Sequence, residues 1–464
     1  MATLPRERHA TAPAERALFR YLLAAAHRPQ WDWTAYTPAR NEAANFGLRF
    51  QIAFQGAALA ALGERWPAYR HPTANALAAL IERFLQPPVW RYWVAAGARR
   101  DPVAPHNVQY SGHLGQLIGL YERFADDGRF DRPFLLDDGA GNRYQHDHAS
   151  VVAALAQQMA TNRSHGVTCE PATIYVACNT HAVLTLLLFD AAHQSDHQPL
   201  IEQWNRWVGA RMLRRQGGLF QVAYREDRDW VIPLNFRIID AWSMAFLSPV
   251  TPSLFERLYP RFREELRWQE GLAFLPVRWP NATFEIADTP LASAFAFVAA
   301  REAGDEEAAT ALRRYAEARL GLAATAAGMA CWQAQRPLLV SALFALGEAL
   351  RPGDLRRWGT PRPSGFFQRP QLLEVSGAEV TRAEWEDDAL VVELVGAGEV
   401  SLEARGVRGM PLVSPGQLQA GGANRAGAAA PAPQPGAHRG AVADRRVKSL
   451  RELAAAGTGK QLDG

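Results

Sequence analysis

The feature that most limits the possible folds is a helical pattern that runs through the first 350 residues of this 464-residue chain. Apolar residues recur there at three- and four-residue spacing, and the breaks carry Pro, Gly, Asp or Asn, which is typical of consecutive α-helices. The pattern predicts twelve helices, near residues 13–27, 45–63, 72–86, 107–125, 147–161, 171–193, 198–213, 234–247, 253–266, 287–303, 305–319 and 335–350.

The connections between these helices are mostly short, which favours one all-α domain over residues 1–355. Twelve consecutive helices fit an (α/α)6 barrel, in which two concentric rings hold six helices each. An α-solenoid is the alternative, but the sequence has no repeat of fixed period. Two irregular stretches interrupt the helices, near 126–146 and 214–233, and we expect a short strand pair in the second.

The pattern changes after residue 360. Short runs rich in Val, Leu and Glu, at 371–375, 379–384, 389–395 and 399–403, predict three or four strands of a small β appendage over residues 366–406. From residue 414 to 464 the chain becomes rich in Gly, Ala, Pro and Arg, a composition typical of disorder. We assign no catalytic role to this tail.

Charge and composition exclude several classes of protein. The formal net charge is only +3 and no Lys/Arg block is interleaved with aromatic residues, so we expect no nucleic-acid partner. No run of about 18 uncharged apolar residues predicts a membrane span. The first nine residues do not resemble a secretory signal, and three cysteines are too few for a disulfide scaffold. We therefore predict a cytoplasmic protein.

The most informative segment is 166–179, which contains two cysteines. Pro171 is suited to the first turn of a helix, so we expect Cys169 at a helix N-terminus and Cys178 about two turns inside that helix. The helix dipole would then lower the pKa of Cys169 and leave Cys178 a neutral thiol, which would make the two an acid and base couple. Two buried structural cysteines, or a zinc site completed by His113, are the alternatives.

A second segment places His113 within an apolar helix, where an imidazole must be hydrogen-bonded by a partner or take part in function. Two aromatic-rich segments, 45–54 and 232–242, could form either core or a substrate-binding wall. Five further histidines are expected at loop or helix-surface positions and in no metal-ligand pattern; they are His146, His148, His165, His181 and His193.

Taken together and in this order, the segments resemble the linalool dehydratase/isomerase family. Residues 166–179 are similar to its G-x-x-C-E-P-x(6)-C-N motif, and residues 110–114 with 119–121 are similar to its Y-x-G-H-L and GLY motifs. Residues 48–54 resemble its aromatic-x-I-A-F helix. The resemblance covers roughly residues 15–350, and two further similar runs lie at 255–262 and 292–295.

The resemblance implies an (α/α)6 barrel and a reaction that needs no cofactor and no metal. Family members dehydrate the tertiary allylic alcohol linalool to myrcene and isomerise it to geraniol, so the expected partner is a small hydrophobic alcohol or alkene. By the motifs, the catalytic residues would be Cys169, Cys178 and His113. The substrate-binding residues would be Phe50, Tyr110, Tyr175 and Trp242.

The chain also departs from the family pattern. The family uses an Asp and a Tyr before the aromatic helix, and here the nearest candidates are Asp32 and Tyr36, which do not align cleanly. Phe50 stands where the family has a pocket tyrosine, and a second such tyrosine is replaced near Ile238. Fewer hydroxyl groups suggest a substrate other than linalool, and a different reaction remains open.

Other functions are also compatible with the sequence. A Cys-Cys-His zinc site, as in helical-barrel lanthionine cyclases, would use the same residues in a metal-dependent enzyme. A catalytically inactive barrel that binds a terpenoid or a partner protein is a third interpretation. A carbohydrate-active barrel would need two carboxylates flanking a sugar, and the sequence places no such pair. A homo-oligomer is compatible with the sequence.

Overall fold

The computed structural model describes residues 10–36, 47–95, 101–103, 107–139, 141–169, 172–277, 289–325, 328–334, 336–387, 389–407 and 438–439. The chain divides into two compact units. One consists of Ala17–Leu62 and Ala74–Pro363, and the other of Met1–Arg16, Gly63–Thr73 and Ser364–Gly464. Apart from residues 438–439, the predicted disordered tail lies outside the described residues. Within them, no helix is long and apolar enough to cross a membrane.

Thirteen α-helices are present in the described ranges, so the prediction of a helical chain is confirmed. They are α1 (Pro13–Ala26), α2 (Leu48–Gly63), α3 (Arg70–Phe84), α4 (Pro87–Ala95), α5 (Val108–Glu122), α6 (His148–Thr161), α7 (Val176–His193), α8 (Gln198–Arg211), α9 (Arg237–Val250), α10 (Pro252–Glu264), α11 (Thr289–Ala303), α12 (Glu306–Leu320) and α13 (Pro337–Ala349). All twelve predicted helices are found. The sequence analysis missed α4 because its two leading prolines resemble a break, although proline fits the first turn of a helix.

The helices of the larger unit differ in how much of their surface is buried. Helices α5, α7, α9, α11 and α13 form a series in which each packs on the next, and they are buried along most of their length. Helices α8, α10 and α12 bury only one stripe each and pack against members of that series. The unit therefore has an inner row and an outer row of helices.

Short antiparallel strands connect several of these helices. The pairs are β1 (Phe134–Asp137) with β2 (Arg143–His146), β6 (Arg267–Gln269) with β7 (Leu272–Phe274), and β8 (Leu322–Thr325) with β9 (Gly328–Cys331). A three-stranded sheet consists of β3 (Thr173–Ile174), β4 (Ala223–Arg225) and β5 (Trp230–Ile232). The strand pair predicted within 214–233 is thus confirmed as β4 and β5.

The smaller unit is built on a long hairpin, β10 (Gln371–Glu386) and β11 (Ala389–Arg405), with β12 (His438–Arg439) paired to β11. Three strands agree with the predicted number, but the four predicted runs are not separate strands: 371–375 and 379–384 both lie in β10, and 389–395 and 399–403 both lie in β11. Between the first two predicted runs the chain forms a β-bulge, since the register shifts between Ser376 and Ala378 while both strands continue. Ala68 N–H donates to Ala383 O over 3.0 Å, which joins segment 63–73 to the hairpin within the same unit.

Candidate active site

The two cysteines of the predicted motif come together, although not as the sequence analysis expected. Their Sγ atoms lie 3.3 Å apart, and both are buried free thiols. Cys169 precedes β3, and its N–H donates to Thr173 O over 2.7 Å. Helix α7 begins only at Val176, because Thr173 and Ile174 pair with β4. The prediction is therefore wrong on the helix: Cys178, not Cys169, lies in its first turn.

A chain of polar contacts leads away from the sulfur of Cys169. Gln109 Nε2 donates to Cys169 Sγ over 2.7 Å, and Arg49 donates to Gln109 Oε1 over 2.7 Å. The guanidinium of Arg49 is buried and lies 3.8 Å from the centroid of the Tyr92 ring. An N–H donor on the sulfur with a cation behind it is arranged to stabilise negative charge on the thiol pair.

Tyr92 of α4 is a neighbour of the thiols that the sequence analysis missed. Burial raises its pKa to about 12, against a lowering by Arg49, and both thiols contribute to the rise. The phenol is therefore neutral near pH 7. Its hydroxyl donates to Asn107 Oδ1 over 2.8 Å, so it is held in place beside the sulfurs.

His113 lies in the middle of α5 among aromatic rings. Its ring centroid is 4.1 Å from that of His181 and 5.2 Å from that of Phe50. Burial and, to a lesser degree, Arg49 lower the pKa of His113 to about 3, so the imidazole is neutral near pH 7. In the described part of the chain, His113 Nδ1 is buried without a hydrogen-bond partner.

His181 is a second buried histidine at this site. Trp242 Nε1 donates to His181 Nε2 over 2.6 Å, and His181 Nδ1 lies 2.6 Å from Gln116 Oε1. Because an indole can only donate, Nε2 must accept, and the proton of the ring is on Nδ1. Burial and the neighbouring His113 lower the pKa of His181 well below its usual value.

The prediction of surface positions for the other histidines is wrong for His148 and His181, which are both fully buried. A helical spacing could have revealed the site. Gln109, His113 and Gln116 lie at i, i+4 and i+7 of α5, which places three polar side chains on one face of an apolar helix. Cys178 and His181 are three residues apart on α7 and share a face in the same way.

Small residues allow the two helices to bring these side chains together. A Cβ atom at Gly112 would lie 3.3 Å from the backbone nitrogen of Ala182, and one at Gly119 would lie 2.6 Å from Leu188 Cβ. Thr185 Oγ1 also donates to Gly112 O over 2.8 Å. The glycines of α5 therefore permit the close approach of α7 that places His181 against His113.

Two of the four predicted substrate-binding residues join this cluster. The Phe50 ring lies 5.2 Å from the Trp242 ring, and Trp242 stacks on Phe295 at 5.7 Å. Tyr110 instead packs on Phe84 of α3, and its hydroxyl donates to Phe84 O over 3.3 Å. Tyr175 is half-buried at the residue preceding α7.

The two weakest sequence candidates are engaged elsewhere. Asp32 accepts hydrogen bonds from Thr34 and pairs with Arg28 at 2.9 Å; these contacts, those from Thr34 first, lower its pKa to about 2. Tyr36 is buried, and its hydroxyl donates to Gln55 Oε1 over 2.9 Å. No described contact joins either of them to the thiol pair.

Comparison with known proteins gives one family and remote structural neighbours. The sequence model described as linalool dehydratase/isomerase matches residues 49–336. An alpha-1,6-mannanase of Salegentibacter sp. HEL1_6 is 12% identical, with 72% of this chain and 98% of that chain covered and a TM-score of 0.44. The unsaturated glucuronyl hydrolase of Bacillus sp. GL1 is 11% identical, with 74% and 94% covered and a TM-score of 0.41.

Proposed function

Because this chain is a member of the linalool dehydratase/isomerase family, we propose that it is a lyase or isomerase that acts on an allylic, terpenoid-like alcohol. The observation that carries the proposal is the buried thiol pair, with 3.3 Å between the sulfurs of Cys169 and Cys178. Two adjacent thiols that share a polar contact can give and take back a proton without a cofactor. The neutral imidazole of His113 supplies a separate base.

In the proposed reaction, the thiol of Cys178 protonates the substrate hydroxyl. The C–O bond breaks with its electron pair, water departs, and an allylic cation remains. His113 removes a proton from the adjacent carbon to form the alkene, and the imidazolium then returns a proton to the thiolate, so both groups are restored. In an isomerisation, water adds to the other end of the allylic system and releases its extra proton by the same route.

The surroundings of the thiols support the charges that this mechanism forms. Negative charge left on the pair is stabilised by the amide of Gln109 and the guanidinium of Arg49 behind it. Positive charge on the substrate would face aromatic rings, each of which stabilises a cation by about 2 kcal/mol when desolvated. These rings belong to Phe50, Phe54, Trp242, Phe246 and Phe295.

Two unpartnered polar atoms support a hydroxyl-binding position beside His181. Among the described residues, His113 Nδ1 and Gln116 Nε2 are both buried without a hydrogen-bond partner. An amide N–H can donate to an alcohol oxygen, and a neutral imidazole nitrogen can accept from an alcohol proton. We propose that the substrate hydroxyl satisfies these two atoms, since leaving them unmet costs about 1–3 kcal/mol each.

The zinc alternative has less support from the geometry. A three-residue metal site needs three ligand atoms close together. Among the described residues, the ligand atoms of Cys169, Cys178 and His113 do not all lie within 4.8 Å of one another. Metal analysis of the Cys178→Ala variant decides the matter, since zinc held by this triad would be lost with the sulfur.

We also propose that the helix rows of the larger unit form an (α/α)6 barrel. Helix α2 is buried along its whole length, and its Phe54 ring contacts rings from α5, α7, α9 and α11. With α13, this gives six buried helices, which is the number that the inner ring of such a barrel requires. The aromatic rings around Phe54 would then lie inside the ring, where a hydrophobic substrate could bind.

The experiment is to incubate the full-length chain with allylic alcohols of one to four isoprene units and to identify the products by gas chromatography. We expect an alkene, a rearranged alcohol or both from at least one alcohol, and loss of both products in the Cys178→Ala variant. Saturable binding without turnover across the panel would instead support a non-catalytic, terpenoid-binding protein. Neither binding nor turnover would reject this substrate class.

A further inference from the structure

Three helix termini meet at a cluster that the proposed reaction does not use. Glu122 is the last residue of α5, His148 is the first residue of α6, and His193 is the last residue of α7. Glu122 Oε1 lies 2.8 Å from His148 Nδ1, and Glu122 Oε2 lies 3.2 Å from His193 Nε2. One ligand atom from each residue can be chosen such that all three lie within 4.8 Å of one another.

The cluster is largely shielded from water and is poor in ordinary cations. The side chain of His148 is fully buried, and those of Glu122 and His193 are 14% and 28% exposed. In the part of the chain that the structure describes, the ion pairs of Glu122 are with these two histidines and not with Lys or Arg. A largely buried carboxylate is stabilised by a partner with a permanent positive charge.

The orientation of the imidazoles suits a metal ion. Each ring directs one nitrogen at the same carboxylate and donates an N–H to it. A metal ion that displaced these two protons would bind two imidazole nitrogens and one carboxylate. Ligand atoms on a tetrahedral zinc with bonds of about 2.0–2.1 Å lie about 3.3 Å apart. The distances from Glu122 Oε1 to His148 Nδ1 and from Glu122 Oε2 to His193 Nε2 differ from this value by about half an ångström or less, and the three ligand atoms all lie within 4.8 Å of one another.

Further negative charge surrounds this point. Asp131 Oδ1 lies 3.7 Å from His193 Nε2, and its half-exposed carboxylate could supply another ligand from the solvent side. Helices α5 and α7 both end here, and the C-terminal end of a helix dipole favours a cation. Helix α6 begins here with the opposite sign, but the carboxylate of Asp147 caps it by accepting from Ser150 N.

We propose that Glu122, His148 and His193 bind a zinc ion. Two imidazole nitrogens with a carboxylate are a donor set that zinc takes in proteins, whereas calcium and magnesium prefer oxygen ligands alone. The ion would hold together the ends of α5, α6 and α7. His193 lies fifteen positions after Cys178 on α7, or about 22 Å along the helix, so the ion would act on stability and not on the reacting atoms.

The test is zinc binding by the full-length chain after treatment with a chelator, measured by elemental analysis and by the shift in melting temperature. We expect one zinc per chain, a higher melting temperature with zinc, and a loss of affinity of about 100-fold or more in the Glu122→Gln and His193→Gln variants. The matched control is His197→Gln. His197 Nδ1 lies 2.6 Å from Asp190 Oδ1, so this variant also removes an imidazole paired with a carboxylate, but one outside the proposed site. Equal zinc affinity in all four proteins would overturn the proposal.

The thiols are the main competing zinc ligands, and cobalt distinguishes the two sites. Cobalt bound by nitrogen and oxygen ligands gives visible absorption without the near-ultraviolet charge-transfer band of cobalt–thiolate bonds. We expect such a spectrum in the wild-type chain, unchanged in a Cys169→Ala/Cys178→Ala variant. A thiolate band, or no cobalt spectrum at all, would overturn the proposal even if the Glu122 and His193 variants failed to fold.

Discussion

Trp242 Nε1 donates a hydrogen bond to His181 Nε2 over 2.6 Å, and this contact determines which nitrogen of His181 carries its proton. With Nε2 accepting, Nδ1 donates to Gln116 Oε1 over 2.6 Å, so the amide of Gln116 is turned with Nε2 away from His181. The orientation of one indole ring is thus transmitted through an imidazole to an amide that we propose binds the substrate hydroxyl.

The first prediction is that Trp242→Phe lowers turnover more than an ordinary core substitution. Phenylalanine keeps most of the ring but removes the donor, so His181 Nε2 loses its partner at a cost of about 1–3 kcal/mol in the free energy of unfolding. Turnover should fall roughly tenfold or more, because the orientation of Gln116 is no longer fixed. Steady-state kinetics and urea unfolding measure the two effects.

The control for this substitution is Trp207→Phe. Trp207 is half-buried, and its ring stacks on Trp204 at 5.6 Å in the outer helix α8. We expect a small change in stability and none in turnover. Equal kinetic effects of the two substitutions would show that the hydrogen bond of Trp242 has no role in catalysis.

The second prediction concerns the thiols as a functional pair. Replacing Cys169 or Cys178 by Ala removes little volume, so the free energy of unfolding should fall by no more than about 1–3 kcal/mol. Turnover should fall by a factor of roughly 100 or more, because Cys178→Ala removes the proposed acid and Cys169→Ala removes the sulfur through which Gln109 stabilises the charge left on the pair. Product formation from the alcohol that the panel identifies provides the assay.

Cys331 is the matched control for the thiols. It is buried in β9, and burial raises its pKa to about 12, so it is neutral and unreactive near pH 7. Cys331→Ala should leave turnover unchanged. Mild and equal effects of all three substitutions would mean that the cysteines are structural and that the proposed mechanism is wrong.

The sequence predicted the helices and several residues of the site for a physical reason. Amphipathic periodicity is a local property, so the twelve expected helices could be recognised one by one. The helix of Cys178 was placed five residues too early because Pro171 looked like a first turn. What prevents that start is the pairing of Thr173 and Ile174 with Arg225 and Tyr224, a non-local contact that local periodicity does not contain.

The histidines illustrate the same limit. Helix α7 is apolar nearly all round, so its sequence does not indicate which face is buried. The sequence therefore predicts a surface position for His181, which is wrong. Its partners, Gln116 and Trp242, are 65 and 61 residues away in the chain. The family resemblance predicts His113, Phe50 and Trp242 as site residues, and the structure brings their rings together.

The third prediction concerns pH and the buried carboxyl of Asp240. Burial raises its pKa from the ordinary 3.8 to about 7, although it accepts hydrogen bonds from Leu219 N, Phe220 N and Asn235 Nδ2. A folded state with the higher pKa binds more protons than the unfolded chain. The contribution of Asp240 to stability is therefore largest below about pH 4 and is lost as the pH rises through 7.

Urea unfolding from near pH 5 to near pH 8 measures this effect. The Asp240→Asn variant should show a weaker decline in stability with rising pH than the wild type, although it is less stable at every pH because one amide oxygen cannot accept from all three donors. Glu302, whose pKa burial also raises to about 7, should maintain part of the decline. An identical slope in wild type and variant would contradict the assignment.

The fourth prediction tests whether the close packing of α5 and α7 holds the site together. A Cβ atom at Gly115 would overlap Cγ2 of Thr185, and Thr185 cannot rotate freely because its one O–H is shared between Gly112 O and His181 O. Gly115→Ala should therefore destabilise the chain by about 1–3 kcal/mol, as overpacked substitutions do. By pushing α7 away, it should also lower turnover.

The control is Gly209→Ala in α8, where a Cβ atom meets nothing within 4 Å. This variant should instead stabilise the chain by roughly 0.5–1 kcal/mol, because alanine has the higher helix propensity. Thermal unfolding of both variants decides the matter: a neutral or stabilising Gly115→Ala would mean that the two helices are not in the close contact on which the geometry of His113 and His181 depends.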